Sequence, residues 1–233
     1  MSTQRIEIAG LTTRVVERPD PKLTVILLHG FGAPGDDLVA LARVLDVPAR
    51  FVFPAAPLEL GGMYGDARAW WLLDLAKLEM ELRAGTPRDR RDEIPPGLPA
   101  AREHAVRFVD QALARFGVTE DRVVLGGFSQ GAMLAVDVAL HRAAKPAGIV
   151  IMSGTLVAES AWKPQMPKLA GVPVFQSHGR VDPLLPFAVA ETLRDDMRSA
   201  GATVEWHQFV GGHEIPPTVL EALGAFLHAR AQS

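Results

Sequence analysis

The chain has 233 residues, 48% of them hydrophobic, and its 24 Lys and Arg against 27 Asp and Glu give a formal net charge of −3. This size predicts one well-buried domain over residues 1–233, and the charge provides no broad basic face for binding nucleic acid. Because there is no cysteine, disulfides and thiolate metal ligands are excluded. Residues 1–8 show no apolar leader and no apolar run is long enough to span a membrane, so we expect a cytoplasmic protein. The sequence leaves the oligomeric state open.

The predicted elements begin with an antiparallel pair of strands, in which polar and apolar residues alternate over residues 5–8 and 13–17. Further along, short apolar runs predict buried strands, and the longer segments between them have helical spacing. The predicted strands are 23–28, 50–53, 122–126, 148–152, 172–177 and 204–209, and the predicted helices are 37–45, 98–116, 130–141, 187–200 and 218–230. This order predicts an α/β fold with a mostly parallel central sheet, helices on both faces and right-handed crossovers.

Two excursions interrupt the alternation of strands and helices. Residues 58–97 are rich in Gly, Pro, Trp and charged residues, and residues 155–171 contain Trp162 and two of the prolines in this part of the chain. Long connections inside a compact domain often form lids or binding loops. We expect the first excursion to be a lid or part of a substrate pocket.

The most informative stretch is Gly127-Phe128-Ser129-Gln130-Gly131, which lies between a predicted strand and a predicted helix. A sharp strand-to-helix turn strains the backbone at the central serine and exposes its hydroxyl, and glycines on either side let the strand and helix pass closely. This context predicts that Ser129 is a nucleophile. The alternative is a serine that only caps the helix.

A serine nucleophile needs a base, and His213 is the best candidate among the histidines that follow Ser129. His213 lies in a Gly-rich turn after the last predicted strand, and the carboxyl ends of parallel strands are where such sheets carry their chemistry. His207 belongs to an alternating strand and His228 to a terminal helix, which favours packed or solvated imidazoles there. For His213 the alternative is an ordinary loop histidine.

The base needs a carboxylate to orient it, and Asp182 follows a predicted strand at its carboxyl end. Other acidic residues between Ser129 and His213 fall within helices or in a loop: Asp137, Glu159, Asp195 and Asp196. The alternative for Asp182 is an Asp-Pro pair that starts a turn.

Two backbone N–H groups are expected to form an oxyanion hole. Gln130, the residue after the nucleophile, supplies one of them. The second is expected from Phe31, with Gly32 as the next choice, because both follow a buried strand in Leu28-His29-Gly30-Phe31-Gly32. His29 is expected to brace this loop through hydrogen bonds, and the alternative is that it acts as a second base.

Four motifs in order resemble the carboxylesterase, lysophospholipase and acyl-protein thioesterase branch of the α/β-hydrolases. They are Leu-His-Gly-Phe-Gly, Gly-Phe-Ser-Gln-Gly, Ser-His-Gly-Arg-Val-Asp-Pro and Gly-Gly-His-Glu-Ile, and the resemblance covers about residues 22–230. It implies the α/β-hydrolase fold and a triad of Ser129, Asp182 and His213. It also implies that the oxyanion hole consists of the backbone amides of Phe31 and Gln130.

The sequence departs most from this family near residues 69–74. The family's Trp-Phe-Asp-like segment corresponds to Ala-Trp-Trp-Leu-Leu-Asp here, with extra residues and a long charged, Pro-rich tail. We expect Met63, Trp70 and Trp71, with Tyr64 beside them, to line the acyl pocket. The alternative is that the paired tryptophans are core residues beneath the excursion.

The predicted reaction is hydrolysis of a carboxylic ester of a small or acyl-chain substrate through an acyl-enzyme, with no cofactor and no metal. An acyl-protein thioesterase, another thioesterase or a lysophospholipase is the nearest alternative, because the same triad would serve it. A binding protein on a hydrolase scaffold fits less well, since all three triad residue types are present. A peptidase also fits less well, since nothing indicates the extra domain that often restricts access to the site.

Overall fold

The central feature of the computed structural model, which describes residues 2–61, 65–83, 85 and 89–232, is an eight-stranded sheet. Its strands are β1 (Ser2–Ile8), β2 (Leu11–Glu17), β3 (Leu23–Leu28), β4 (Ala49–Pro54), β7 (Val123–Phe128), β8 (Gly148–Met152), β9 (Pro173–Gly179) and β10 (Thr203–Phe209). The order across the sheet is β1-β2-β4-β3-β7-β8-β9-β10. The β1–β2 and β2–β4 pairs are antiparallel and the other pairs are parallel.

The helices lie on both faces of this sheet. They are α1 (Leu41–Val44), α2 (Leu75–Arg83), α3 (Leu98–Phe116), α4 (Gln130–His141), α5 (Glu159–Trp162), α6 (Phe187–Ser199) and α7 (Pro217–Ala231). Buried apolar residues of α1 and α7 pack on one face, against strand residues such as Phe51 and Phe175. Those of α3, α4 and α6 pack on the other face, against residues such as Ile26 and Ile151.

The strands and helices form where apolar residues can be buried. Every residue of β3 is buried, as expected for the centre of a parallel sheet covered on both faces. Helix α4 is apolar around most of its circumference and is buried over eleven of its residues, 130–140. Each fully buried Leu, Ile, Val or Phe contributes roughly 1.5–3 kcal/mol to the stability of the fold. This helix and the central strands therefore form a rigid support for the turn that carries Ser129.

The predicted fold class is confirmed, and the predicted strands and helices all have counterparts. The bounds of α3 and α4 agree with the prediction, whereas residues 37–45 form a 3₁₀ turn (Asp37–Ala40) followed by the single turn α1. The first excursion contains elements that were not predicted, namely α2 and the short pair β5 (Leu58–Glu59) with β6 (Arg68–Ala69). The second contains α5 and the 3₁₀ turn Lys163–Leu169, which were not predicted either. Among the described residues, no helix has the length and apolar character needed to cross a membrane.

Candidate active site

Ser129 lies between β7 and α4 in a backbone conformation that few non-glycine residues adopt. Its φ is 54° and its ψ is −120°, and its N–H donates to the Met152 carbonyl at 2.9 Å. Glycines make this turn possible, because a Cβ at Gly131 would overlap the Leu28 carbonyl oxygen and a Cβ at Gly127 would meet the same oxygen. The half-buried Ser129 therefore stands at the carboxyl end of the sheet and lines a cavity there.

Asp182 and His213, from different loops, are hydrogen-bonded to each other. His213 Nδ1 lies 2.7 Å from Asp182 Oδ2, and the Asp182 side chain is fully buried. The backbone N–H groups of Leu184 and Leu185 donate to the other carboxylate oxygen, Oδ1, at 2.8 and 2.9 Å. Burial acts to raise the pKa of Asp182, but the hydrogen bonds from His213 and the two amides outweigh it and lower that pKa below its ordinary value.

Main-chain contacts join the loop that carries Asp182 to the loop that carries His213. The Arg180 N–H donates to the Phe209 carbonyl at 2.9 Å, and the Val181 N–H donates to the Gly211 carbonyl at 3.1 Å. At Gly179 the two loops are so close that a Cβ would overlap carbonyl oxygens of the other loop. The backbone therefore fixes the acid and the imidazole relative to each other.

The backbone N–H groups of Gln130 and Phe31, which the sequence analysis selected, belong to residues that line the same cavity as Ser129. Gln130 is the first residue of α4, so its N–H has no partner within the helix. The Phe31 N–H makes no hydrogen bond to any residue in the described part of the chain, and both residues line the cavity. Gly32, the second choice, donates its N–H to the Arg68 carbonyl at 2.9 Å and is not available.

His29 braces the loop after β3. Its Nδ1 lies 2.8 Å from the Gly30 carbonyl oxygen and its Nε2 accepts the Ala56 N–H at 3.0 Å, which makes Nδ1 the protonated nitrogen of a neutral ring. Burial lowers the pKa of His29 below its ordinary value, and the Gly30 carbonyl only partly offsets this effect. Both nitrogens are therefore occupied, as expected of a bracing residue and not of a second base.

The side chain of Gln130 joins the serine turn to the first excursion, a contact that the sequence analysis did not foresee. Its Oε1 accepts the Trp70 N–H and its Nε2 donates to the Trp71 carbonyl, both at 2.9 Å. The Trp70 indole N–H donates to the His29 carbonyl at 2.9 Å. A glutamine directly after the candidate nucleophile, Ser129, was the only sequence signal for this contact.

A cavity of about 440 Å³ opens at this end of the sheet, and its lining includes Ser129, His213, Phe31 and Gln130. The first excursion supplies much of the remaining wall: Trp71, Leu72, Leu73, Asp74, Lys77, Leu78, Arg90, Glu93, Pro95 and Pro96. Other parts of the chain contribute Met133, Thr155, Leu156, Val157, Leu184, Leu185, Pro186 and Val189.

The expected pocket residues have different positions. Trp71 lines the cavity although it is 1% exposed, so it belongs both to the core and to the wall. Trp70 is 2% exposed and is not part of the lining, because its indole is turned to the His29 carbonyl and packs in the core. This position favours the core alternative for Trp70. Met63 and Tyr64 lie outside the described residues.

The other histidines and acids that the sequence offered are held elsewhere. The His207 ring stacks on Phe175 with centroids 4.7 Å apart, and His228 is exposed on α7. Asp137 accepts hydrogen bonds from Arg102 and from the Trp162 indole. The remaining acids are in ion pairs away from the cavity: Glu159, Asp195 and Asp196. No group of three or more His, Asp or Glu side chains within the described residues could hold a metal ion.

The chain is similar to known proteins in sequence and in structure. Residues 12–231 match the model of a family described as phospholipase/carboxylesterase. The chain is 28% identical over 220 residues to an acyl-protein thioesterase 1 of Neurospora crassa, covering 89% of this chain and 86% of that protein. It is 25% identical over 207 residues to a putative hydrolase, MhqD, of Bacillus subtilis, covering 86% and 90%. The crystal structure of esterase PE8 is similar with a TM-score of 0.81 at 29% identity, covering 94% of this chain and 98% of that one.

Proposed function

The chain belongs to the phospholipase/carboxylesterase family, and from this premise we propose that it is a serine hydrolase of carboxylic esters that works through an acyl-enzyme. One observation carries the proposal: His213 Nδ1 is 2.7 Å from the buried Asp182 carboxylate, and this imidazole lines the same cavity as the strained Ser129. A nucleophile, a base and an orienting carboxylate at one cavity are what acyl transfer requires.

In the proposed reaction, the Ser129 hydroxyl attacks the ester carbonyl carbon while His213 Nε2 takes its proton. The Asp182 carboxylate accepts the Nδ1–H of the same ring, which leaves Nε2 free to act as the base. The negative charge on the carbonyl oxygen is stabilised by the N–H groups of Phe31 and Gln130.

The tetrahedral adduct collapses when His213 returns the proton to the leaving alcohol, and the acyl group stays on Ser129. A water molecule, deprotonated by His213, then attacks the acyl-enzyme. The second tetrahedral adduct releases the carboxylic acid and restores the serine hydroxyl.

A thioester substrate is the second candidate, because the same steps cleave a thioester with a thiol as the leaving group. The similarity to proteins named acyl-protein thioesterase 1 supports it. The largely apolar side chains along the wall, such as Leu72, Leu156 and Leu185, suit an acyl chain in either case. We further propose that residues 1–233 act as one catalytic unit.

Labelling with a fluorophosphonate, together with turnover of a substrate panel, tests the proposal. The wild type is expected to label, and Ser129→Ala is expected to lose labelling and roughly 10⁴- to 10⁶-fold in kcat, since only binding and the oxyanion hole remain. Ser160→Ala, at an exposed serine on α5 that does not line the cavity, is the matched control and should label normally.

The panel compares p-nitrophenyl esters of graded chain length with an acyl-thioester. A higher kcat/KM for esters supports the esterase, and a higher value for the thioester supports the second candidate. Absence of labelling in the wild type would instead indicate a binding protein on a hydrolase scaffold, and unchanged turnover in Ser129→Ala would overturn the proposed nucleophile.

A further inference from the structure

A second imidazole lies beside the Asp182 carboxylate and is not used in the reaction proposed above. His178, the sixth residue of β9, is four residues before Asp182, and its side chain is fully buried. Its Nε2 lies 3.0 Å from the Leu185 carbonyl oxygen and 3.5 Å from Asp182 Oδ2. The oxygen Oδ2 is the one that receives the His213 hydrogen bond.

The protonation state of His178 follows from its surroundings. A carbonyl oxygen can only accept a hydrogen bond, so the nitrogen that faces Leu185, Nε2, carries the proton. Burial lowers the pKa of His178 below its ordinary value, and the hydrogen bond to the Leu185 carbonyl only partly opposes this effect. The ring is therefore a neutral donor that points its N–H at Leu185.

Leu185 is held at both of its backbone polar groups. Its N–H donates to Asp182 Oδ1 at 2.9 Å, and its carbonyl accepts the His178 N–H at 3.0 Å. The neighbouring Leu184 N–H donates to the same Oδ1 at 2.8 Å. The turn that orients one oxygen of the carboxylate is thus fastened to β9 through the His178 ring.

We propose that His178 is a positioning residue, which keeps the Asp182 carboxylate directed at His213 by fastening the Leu185 peptide. The inference rests on the proposed function. Without the His178 N–H, the Leu185 carbonyl would lose its hydrogen-bond donor and the turn would move to find another. The Leu185 N–H would then shift away from Oδ1 and let the carboxylate rotate away from the His213 ring.

Two substitutions separate the hydrogen-bond donor from the volume of the ring. His178→Phe keeps an aromatic ring and removes the N–H, whereas His178→Gln loses the ring and keeps an N–H near the position of Nε2. In each variant kcat is expressed per active site titrated with fluorophosphonate. We expect the kcat of His178→Phe to fall roughly ten- to a hundredfold, because a buried hydrogen-bond acceptor is left without a donor. His178→Gln is expected to lose less than about fivefold, since the hydrogen bond is retained. A phenylalanine variant as active as the wild type, or a glutamine variant no better than the phenylalanine variant, would overturn the inference.

A double-mutant cycle shows whether His178 acts through the carboxylate. In the Asp182→Asn background, His178→Phe is expected to change kcat less than about threefold, because the group that it positions is already altered. If it lowers kcat by the same factor as in the wild type, His178 acts elsewhere and the inference alone is overturned. An unchanged kcat in Asp182→Asn by itself would overturn the proposed function, so the two failures are distinct.

Discussion

The loops that carry Asp182 and His213 and the excursion at residues 58–97 meet at one cavity but are held in different ways. The two loops are joined by main-chain hydrogen bonds and by the close approach at Gly179. The excursion also has main-chain hydrogen bonds to the rest of the chain, at Arg68, Arg91 and Glu93, but residues 70 and 71 are bound by the side chain of Gln130, and helix α2 exposes 70% of Met80. Main-chain contacts tolerate changes of side chain, whereas the contacts of the Gln130 side chain and the exposed surface of α2 can change with the residues that form them. The chemistry and the selection of substrate are therefore open to separate tests.

The largest expected effect is at the proposed base. His213→Ala should lower kcat by at least roughly 10³-fold, because it removes the group proposed to accept the Ser129 proton. Steady-state turnover of a p-nitrophenyl ester measures this effect.

The matched control is His207→Ala, which removes an imidazole that stacks on Phe175 outside the cavity. It should keep kcat within about threefold, as expected for a residue outside the reacting groups. If His207→Ala or His29→Ala abolishes turnover while His213→Ala remains active, the assignment of the base is wrong.

Substitutions of Trp70 and Trp71 test whether the excursion contributes to stability alone or also to acyl-chain preference. Trp70→Ala should cost roughly 3–5 kcal/mol in free energy of unfolding and leave the relative chain-length preference unchanged, because Trp70 is core. Trp71→Ala should have a similar cost and also shift the preference toward longer or bulkier acyl groups, by about 1–3 kcal/mol per methylene. Urea unfolding and the ester panel on the same preparations distinguish the two.

Leu72→Ala is the control for these variants, since Leu72 lines the cavity but is 66% exposed. It should change the substrate profile with little loss of stability. An unaltered profile in both Trp71→Ala and Leu72→Ala would exclude this wall as a determinant of acyl-chain preference.

The smallest expected effect concerns the loop after β3. Since the pKa of His29 is lowered in the folded state, the unfolded chain binds the proton more readily. The contribution of the neutral His29 to the free energy of unfolding is fully present above the ordinary histidine pKa of about 6.5. It is lost as pH falls from there toward the lowered pKa, by up to about 1.4 kcal/mol per pH unit. His178 contributes with the same sign.

Free energies of unfolding in urea between pH 5 and pH 7.5 test this. His29→Gln should be less stable than the wild type at pH 7.5 but should lose less stability on acidification. Equal slopes in the two proteins would contradict the assignment of a buried, neutral His29.

The sequence predicted those parts of the molecule that local patterns determine. Strands β3 and β8 were predicted from continuous apolar runs, which occur because both faces of these strands are covered. The turn at Ser129 was predicted from its flanking glycines, where a Cβ would overlap neighbouring backbone atoms. The order of the motifs was enough to select Asp182 and His213, since each directly follows a strand. That His213 and Asp182 lie within hydrogen-bond distance of each other is a feature of the structure.

The parts that the sequence did not reveal depend on contacts between distant segments. Helix α2 lies in a stretch whose glycines and prolines outweigh its helical spacing, and β5 with β6 is too short to show alternation. The Gln130 contacts to residues 70 and 71 and the His178 contact to Leu185 join groups whose partners no local pattern identifies.

The backbone at Ser129 has a consequence for any effort to make this protein more heat-resistant. Its φ of 54° suits glycine better than any other residue, and a non-glycine residue in such a conformation costs roughly 1–3 kcal/mol. A library of variants ranked by melting temperature alone would therefore favour glycine at position 129, and the variants it selected would have no side-chain hydroxyl there. Screens of this fold need to be scored by turnover, because this strained position is the one that carries the proposed nucleophile.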